Sequence, residues 1–250
     1  MNLEEYNVMY QVEDHHWWYL GMEHITCRLL ERILPAGGAT QPLKILDAGC
    51  GTGAVMKYLA RYGEVTGFDF SAEALKFSRR RGHPRLMQAS VTAVPFADST
   101  YDLVVSFDVL CEHGVDDGLA LGEFARVLKP GGALLLRLPA YRWMRGQHDT
   151  AVHVAHRYDR REITSKLQNG GFQPIQVSYA NTFLFPIAVA KRLSERIIPS
   201  SQNGSDLTLN AGMLNGVFRA ILSAEAPLVT TSGLPFGLTI AALARKASEA

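Results

Sequence analysis

The stretch LDAGCGTGAV, residues 46–55, decides the fold. It sets Gly49, Gly51 and Gly53 within five residues, directly after an apolar run at 44–47 that predicts a buried strand. A glycine-rich turn between a strand and a helix presents backbone N–H groups at the helix N-terminus. Because ligands of open α/β sheets collect at the carboxyl ends of strands, this stretch predicts a ligand-binding loop.

Two known nucleotide-binding patterns can be compared with this loop. A Walker loop is excluded, because its glycines are followed by a lysine that is absent here. The dinucleotide pattern G-x-G-x-x-G/A is satisfied by Gly49, Gly51 and Ala54. Asp69 ends the next predicted strand, where a carboxylate can accept hydrogen bonds from ribose hydroxyls. These residues predict an adenosine-type ligand and leave a nicotinamide dinucleotide open.

Length and composition restrict the class of protein. The chain has 250 residues, 47% of them hydrophobic and 20% charged, with a net charge of +1. These values fit one globular domain and give no electrostatic case for a nucleic-acid partner. Cys27, Cys50 and Cys111 form no C-x-x-C pair, so we expect a reducing, cytoplasmic location. No apolar run is long enough for a stable membrane span.

Strand and helix patterns alternate between residues 44 and 138, which predicts a parallel sheet covered by helices on both faces. We predict strands over 44–47, 65–68, 85–88, 103–107, 133–138, 172–179 and 237–246, and helices over 3–14, 22–34, 54–62, 71–81, 119–128, 160–169, 183–198 and 212–226. The domain then divides into an N-terminal helical cap (1–40), a ligand-binding core (43–180), a helical insertion (181–227) and a last strand (235–247).

Four motifs, LDAGCGTG, VTGFDFS, VPFADSTYDLVVSFDVLCEH and VLKPGG, stand in the order found in class I S-adenosylmethionine-dependent methyltransferases. The chain resembles that family over roughly residues 44–138. The resemblance implies an α/β fold with a Rossmann-like, doubly wound, mostly parallel seven-stranded sheet. It also implies S-adenosylmethionine as cofactor and S-adenosylhomocysteine as product. A nicotinamide oxidoreductase would account for the first two motifs and leave the others unexplained.

The resemblance also assigns cofactor contacts along the chain. The methionine end and the sugar would be faced by Asp47, Gly49, Gly51 and Gly53, the ribose hydroxyls by Asp69, the adenine by Phe70, Ser90 and Val91, and the methionine flanks by Phe107 and Asp108. Ser90 stands where the family often has a carboxylate, and a hydroxyl oxygen still accepts the adenine amino group, more weakly. The segment VLCEHGVDD is one residue longer than the commoner form, so the placement of Glu112 and His113 stays open.

The segment EDHHWWYLG, residues 13–21, concentrates aromatic side chains before the first strand. We expect Trp18 to cover the cofactor, and Trp17 and Tyr19 to contact the acceptor. An amphipathic helix packed on the domain is the alternative explanation. The segment resembles an H-W-W-[FY]-x-G-R element of bacterial members of the family, but Met22 occupies the arginine position, so a charge pair to the cofactor carboxylate is not implied.

The long segment 139–162 is polar and rich in aromatic and histidine residues, and it resembles an element of the same bacterial proteins. Hydroxyl methylation benefits from a base that takes the acceptor proton. We predict His148 as that base, paired with Asp149, and His113 as the second candidate. Further acceptor contacts are predicted at Tyr141, Trp143, Asp149, His153 and Tyr158, with hydrogen-bonded structural roles as the alternative. The spacing of His153 and His156 lacks further ligands, so no metal is predicted.

No D-P-P-Y or N-P-P-Y run follows the fourth strand, which argues against amino-methyltransferases of DNA or glutamine. We therefore predict methyl transfer to a small molecule, at a hydroxyl of a natural product or biosynthetic intermediate. A cofactor-binding enzyme with a non-methylating reaction, such as cyclisation, and an NAD-dependent oxidoreductase are the alternatives. The insertion can complete the core, close over the acceptor, form a homodimer face or touch a membrane surface.

Overall fold

The computed structural model describes residues 3–34, 41–146, 149–150, 152–197 and 212–247. Two helices precede the sheet, α1 (Leu3–Val12) and α2 (Trp17–Leu30). The remaining elements are β1 (Leu43–Ala48), α3 (Ala54–Leu59), β2 (Gly63–Asp69), α4 (Ala72–Arg80), β3 (Leu86–Gln88), β4 (Tyr101–Phe107), α5 (Asp117–Val127), β5 (Leu128–Pro139), α6 (Arg160–Asn169), β6 (Phe172–Ala180), α7 (Phe185–Ile197), α8 (Asn215–Ser223), α9 (Ala226–Thr230) and β7 (Thr239–Lys246). Short 3-10 turns cover Arg142–Met144 and Gly212–Leu214.

The seven strands form one sheet in the order β3-β2-β1-β4-β5-β7-β6. Strands β1 to β5 run parallel, and β7 is antiparallel to both β5 and β6. This confirms the predicted doubly wound, mostly parallel sheet. The strand order reverses between β1 and β4, which opens a crevice at their carboxyl ends, where ligands of such sheets bind.

The core lies around the three central strands. Ile45 on β1, Val104 on β4 and Leu134 on β5 have no exposed surface. Helices cover both faces of a parallel sheet, so its strands are runs of apolar residues rather than alternating patterns. Helix α5 shows the matching periodicity, with Ala120, Leu121, Phe124 and Val127 buried on one side. The polar residues at the strand ends are thereby the ones left to face the crevice.

Helix α2 begins five residues earlier than the pattern predicts. His16 is its N-cap, and the His16 Nδ1 accepts a hydrogen bond from the Trp18 N–H at 3.3 Å. The aromatic segment is therefore the first turn of α2 and does not extend α1. The helix predicted over 212–226 is divided into α8 and α9, and Glu225 lies between them as the N-cap of α9.

Helices α2 and α8 pack together over the carboxyl edge of the sheet, and we call this pair the roof. A Cβ at Gly21 would lie 2.6 Å from Leu222 Cδ2, so the absence of a side chain allows the close approach. Asn215 accepts a hydrogen bond from the Trp17 N–H and donates one to the His15 carbonyl, both at 2.8 Å. The roof therefore joins the N-terminal cap to the predicted insertion.

Candidate functional site

A cavity of about 1160 Å³ lies between the carboxyl ends of the central strands and the roof. Pockets for one drug-sized ligand measure roughly 300–1,000 Å³. At one end its wall is the glycine loop, and at the other it is formed by side chains of α7 and α8. The space is therefore large enough for two molecules side by side.

The backbone N–H groups of the glycine loop donate hydrogen bonds to other atoms of the protein. Gly49 and Cys50 both donate to the Phe68 carbonyl, at 2.8 and 2.9 Å. The Gly51 N–H donates to Asp69 Oδ2 at 2.8 Å. A pyrophosphate site needs the N–H groups of its loop to be directed at the ligand, whereas these are used within the protein. The loop therefore fits the flank of a nucleoside better than a dinucleotide phosphate.

At two positions of the loop, a side chain would clash with neighbouring atoms, so only glycine fits. At Gly49 (φ +84°), a Cβ would lie 2.3 Å from Val109 Cγ2, so a side chain would close the cavity wall. At Gly53 (φ +89°), a Cβ would meet Ser78 Oγ at 2.5 Å. Gly53 lies against α4 and does not line the cavity. This differs from the prediction that Gly53 contacts the cofactor.

Asp69 connects the glycine loop to the end of β2. Its Oδ1 accepts the Ser71 N–H at 2.8 Å while Oδ2 holds Gly51, and each oxygen keeps a lone pair. Burial raises the pKa of Asp69 above its ordinary value. Phe70, the next residue, is 80% exposed beside the cavity. A flat apolar ring next to a half-buried carboxylate fits a base stacked beside a ribose.

Asp47 is a buried carboxylate with an open acceptor. Its side chain is 1% exposed, and within the described residues its Oδ2 has no hydrogen-bond partner. Burial, and next the charge of Asp69, raise the pKa of Asp47 to about 8. A buried carboxylate with an open oxygen is costly unless a cationic group pairs with it. The position therefore fits a positively charged part of a ligand.

Arg137 interrupts the apolar sequence of β5 and enters the same cavity. Its Nε donates to Asp108 Oδ2 at 2.7 Å. The guanidinium carbon lies 4.8 Å from the Trp18 ring centre and 4.7 Å from that of Phe107. Asp108 itself has a left-handed backbone (φ +59°) directly after β4. Sequence reasoning missed Arg137, although a charged residue within LLLRLP was a visible signal.

The far end of the cavity is mostly apolar. Its wall includes Trp17, Val109, Val152, Leu184, Ile187 and Phe218. Glu112 and His113 line the cavity after β4. Burial raises the pKa of Glu112 to about 7, and within the described chain its carboxylate has no hydrogen-bond donor. His113 is exposed. The titratable side chains of Glu112 and His113 therefore lie in the same cavity as the apolar wall.

Asp149 lines the cavity but is engaged in an ion pair. Its two oxygens accept from Arg157 Nη2 at 2.7 Å and Nε at 3.1 Å, and Oδ2 also accepts the Gly146 N–H. Arg157 in turn donates to the Ala140 carbonyl. This ion pair fixes the loop after β5. The predicted partner of Asp149, His148, lies outside the described residues.

Four other predicted acceptor contacts lie away from the cavity wall. Tyr158 is buried and its hydroxyl donates to the Leu110 carbonyl, and Tyr141 stacks between Trp143 and Tyr179 at 5.7 and 5.1 Å. The cavity lining excludes Tyr141, Trp143, His153 and Tyr158. These residues pack the loop after β5, which corrects the expectation of direct substrate contact.

The other predicted site residues converge on the cavity. They are Asp47, Gly49, Gly51, Asp69, Phe70, Ser90, Val91, Phe107, Asp108, Trp17, Trp18, Tyr19, Asp149 and His113. The Ser90 hydroxyl lies 2.8 Å from that of Thr92. Among the described residues, no group of three or more metal-ligating side chains is present. In the same part of the chain, no helix is long and apolar enough to cross a bilayer.

The fold and cavity define a Rossmann-like protein whose cavity has the glycine loop at one end and an apolar wall at the other. A family model described as "Methyltransferase domain" matches residues 46–136. A malonyl-[acyl-carrier protein] O-methyltransferase of Pectobacterium atrosepticum is 36% identical over 42% of this chain and 42% of its own length. A probable S-adenosylmethionine-dependent methyltransferase of Mycolicibacterium smegmatis is 29% identical over 64% and 61%. The chain thus spans less than two thirds of either relative.

A solved structure of an S-adenosylmethionine-dependent methyltransferase from Thermotoga maritima, titled a possible histamine N-methyltransferase, shares the fold. The two align with a TM-score of 0.59 and 15% identity, over 97% of this chain and 95% of that one. With the motifs and the family match, residues 46–136 are similar to a methyltransferase domain, and the chain resembles the class I S-adenosylmethionine-dependent methyltransferases. S-adenosylmethionine is the cofactor of this family.

Proposed function

We propose that this protein transfers the methyl group of S-adenosylmethionine to a hydroxyl of an apolar small molecule. The observation that carries the proposal is the continuity of one cavity, from the glycine loop and Asp69 to the apolar wall beneath the roof. The Pectobacterium relative is an O-methyltransferase, which supports an oxygen acceptor. A cytoplasmic location and a homodimer stay predictions.

When bound, the cofactor supplies an electrophilic methyl group on a sulfonium sulfur. Asp69 and Phe70 would hold the nucleoside, and the apolar wall would align the acceptor oxygen in line with the C–S bond. The roof excludes water from that line. The cofactor would supply the methyl carbon, with a C–O bond formed as the C–S bond breaks, and the acceptor proton would pass to a base of the protein.

Glu112 and His113 are the described residues that we propose for that proton transfer. Both line the cavity where its nucleoside and apolar ends meet. Glu112 was not assigned this role from sequence, and its pKa near 7 matches a general base. His148 stays a prediction, since its position is not described.

Isothermal titration calorimetry with S-adenosylhomocysteine and NAD tests the cofactor. We expect binding of S-adenosylhomocysteine and none of NAD. Asp69→Ala should weaken the affinity about 10- to 100-fold, because charge-assisted hydrogen bonds to ribose hydroxyls are lost. Glu64→Ala, an exposed carboxylate on the same strand, is the matched control and should bind as the parent does. Unchanged affinity of the Asp69 variant would remove the ribose assignment.

The reaction type is tested with S-adenosylmethionine labelled in its methyl group, over a panel of phenolic and aliphatic hydroxyl compounds. Methyl transfer predicts label in the acceptor and formation of S-adenosylhomocysteine. A cyclising enzyme would change the acceptor without consuming the cofactor. That result would favour the non-methylating alternative.

A further inference from the structure

We propose that Arg137 binds the α-carboxylate of the methionine part of the cofactor, opposite Asp47, which receives the α-ammonium. The inference rests on the proposed cofactor. It assigns a binding residue on β5 that the motifs do not indicate. The arrangement is a receptor for the zwitterionic end of an amino acid, with one charge of each sign on neighbouring parts of the cavity wall.

The guanidinium of Arg137 has donors left for a ligand. Its side chain is only 11% exposed. Within the described chain, Nε donates to Asp108, and no hydrogen bond from the terminal amines to protein is found. These amines are not fully buried either, and the residue lines the cavity. A largely desolvated cation with open, forked donors fits a carboxylate, which can accept two parallel hydrogen bonds.

The guanidinium is also held in place before any ligand binds. The ring centres of Trp18 and Phe107 lie within 5 Å of the guanidinium carbon, and Asp108 Oδ2 accepts a hydrogen bond from the Arg137 Nε. Little side-chain freedom remains to be lost on binding. A fixed, planar donor pair can therefore select a planar carboxylate by geometry as well as by charge.

Strand register puts Asp47 and Arg137 on one face of the sheet. Asp47 pairs with Val105, and Val105 pairs with Leu135, two residues before Arg137. Side chains two residues apart on a strand share a face, so both residues project into the same layer. Two strand spacings and two residue rises separate their Cα atoms by about 12 Å. The long arginine side chain and an amino-acid group together can fill that distance.

Three other cations of the cavity wall are paired with carboxylates. Lys57 contacts Asp14 at 3.0 Å, Arg61 contacts Glu23 at 3.0 Å, and Arg157 is held by Asp149. At the N-terminal element, residues 13–21 contain no lysine or arginine, and the following Met22 is 1% exposed in the core. Arg137 thus supplies a positive charge that the N-terminal element lacks.

A purely structural role for Arg137 makes a different prediction. If it only held Asp108 in its left-handed conformation, its loss would affect any ligand of the nucleoside end. If it binds the carboxylate, its loss would affect only ligands that carry the amino-acid group. S-adenosylhomocysteine carries that group, and 5′-methylthioadenosine has the same nucleoside and sulfur without it. The pair of ligands therefore separates the two roles.

The experiment is calorimetry of the full chain and of Arg137→Gln with both ligands, after each variant is checked for folding by thermal unfolding. We expect a 10- to 100-fold loss of affinity for S-adenosylhomocysteine, the size expected for losing charge-assisted hydrogen bonds. The affinity for 5′-methylthioadenosine should change by less than about threefold. Arg137→Lys keeps the charge without the fork and serves if the glutamine variant fails to fold; it should give a smaller, equally selective loss.

Arg85→Gln is the control for charge, since Arg85 is exposed, pairs with Glu64 at 3.3 Å near the start of β2, and does not line the cavity. Equal losses for both ligands, or no loss for S-adenosylhomocysteine, would overturn the assignment of Arg137 while leaving the proposed function intact. Failure of the parent protein to bind either ligand would instead overturn the cofactor, and this inference with it.

Discussion

At the scale of single residues, the cavity contains carboxylates in different states. Asp69 has both oxygens engaged by backbone N–H groups, whereas Asp47 keeps a buried oxygen without a donor in the described chain. Glu112 also lines the cavity. Burial raises the pKa of all three. Groups of this kind concentrate at functional sites, because a shifted pKa permits proton transfer or pairing with a ligand charge. Their environments predict different roles for them.

Glu112 is predicted to control the pH dependence of methyl transfer. Its pKa is raised by burial to about 7. A base must be ionised to take a proton, so kcat/KM should rise with pH to a plateau above about 7. Below that value it should fall roughly tenfold per pH unit. Initial rates between pH 5.5 and 8.5, with an acceptor found in the labelling assay, measure this profile.

The matched variants are Glu112→Gln and His113→Gln. Loss of the Glu112 carboxylate should lower kcat by about 10²- to 10⁴-fold and abolish the pH-dependent rise. S-adenosylhomocysteine affinity should stay within about threefold of the parent, because the base acts on the acceptor. If the histidine variant shows the large loss and the glutamate variant does not, His113 is the base.

At the scale of elements, the roof decides whether the cavity is closed. Helix α2 packs on α8 through Gly21 and Leu222, and the rings of Trp17 and Phe218 meet at 5.6 Å. The segments that form this contact are about two hundred residues apart in sequence, as the pairing of Trp17 with Asn215 shows. Closure therefore depends on a few long-range contacts.

Asn215→Ala is expected to loosen the roof. The change leaves the Trp17 N–H and the His15 carbonyl without their partner, which costs about 1–2 kcal/mol. Amide hydrogen exchange in the first turn of α2 and in α8 should become faster, while exchange in β1 and β4 should not change. Asn215→Asp keeps the acceptor for Trp17 and should have a smaller effect. Equal exchange in the parent and the alanine variant would contradict this role.

At the scale of the whole molecule, the buried acids link stability to pH. The pKa of Asp47 is about 8 in the folded protein and about 4 in an unfolded chain. Between those values the folded state binds a proton that the unfolded state has lost. The free energy of unfolding therefore falls as pH rises, by up to about 1.4 kcal/mol per pH unit from this group.

Urea unfolding without ligand at pH 5.5 and pH 8 measures this effect. The parent should be more stable at pH 5.5, and Asp47→Asn should show a clearly smaller decrease toward pH 8. Glu112 contributes to both proteins and cancels in the comparison. If the asparagine variant keeps the full decrease, Asp47 is not the group that holds the proton.

Much of this molecule could be predicted from local sequence. The alternation of apolar strands and amphipathic helices indicated the sheet, and α6 has the bounds predicted for it, 160–169. The glycine loop and Asp69 could be found because their roles depend on backbone conformation and short spacing. Periodicity and turn chemistry act over a few residues, so these features can be read without tertiary contacts.

Three-dimensional packing alone decided which of the remaining polar and aromatic residues reach the cavity. Tyr141 and Tyr158 come from a segment that was expected to bind the acceptor, yet they pack the loop after β5. Arg137 lies within an apolar strand; its guanidinium lies over the Trp18 ring and its charge acts on Asp47, because β1, β5 and α2 meet at one edge of the sheet. The sequence by itself determined the fold, the glycine loop and Asp69. Only the tertiary structure decided the apolar end of the cavity and the position of Arg137, because the residues that meet there come from segments far apart in the chain.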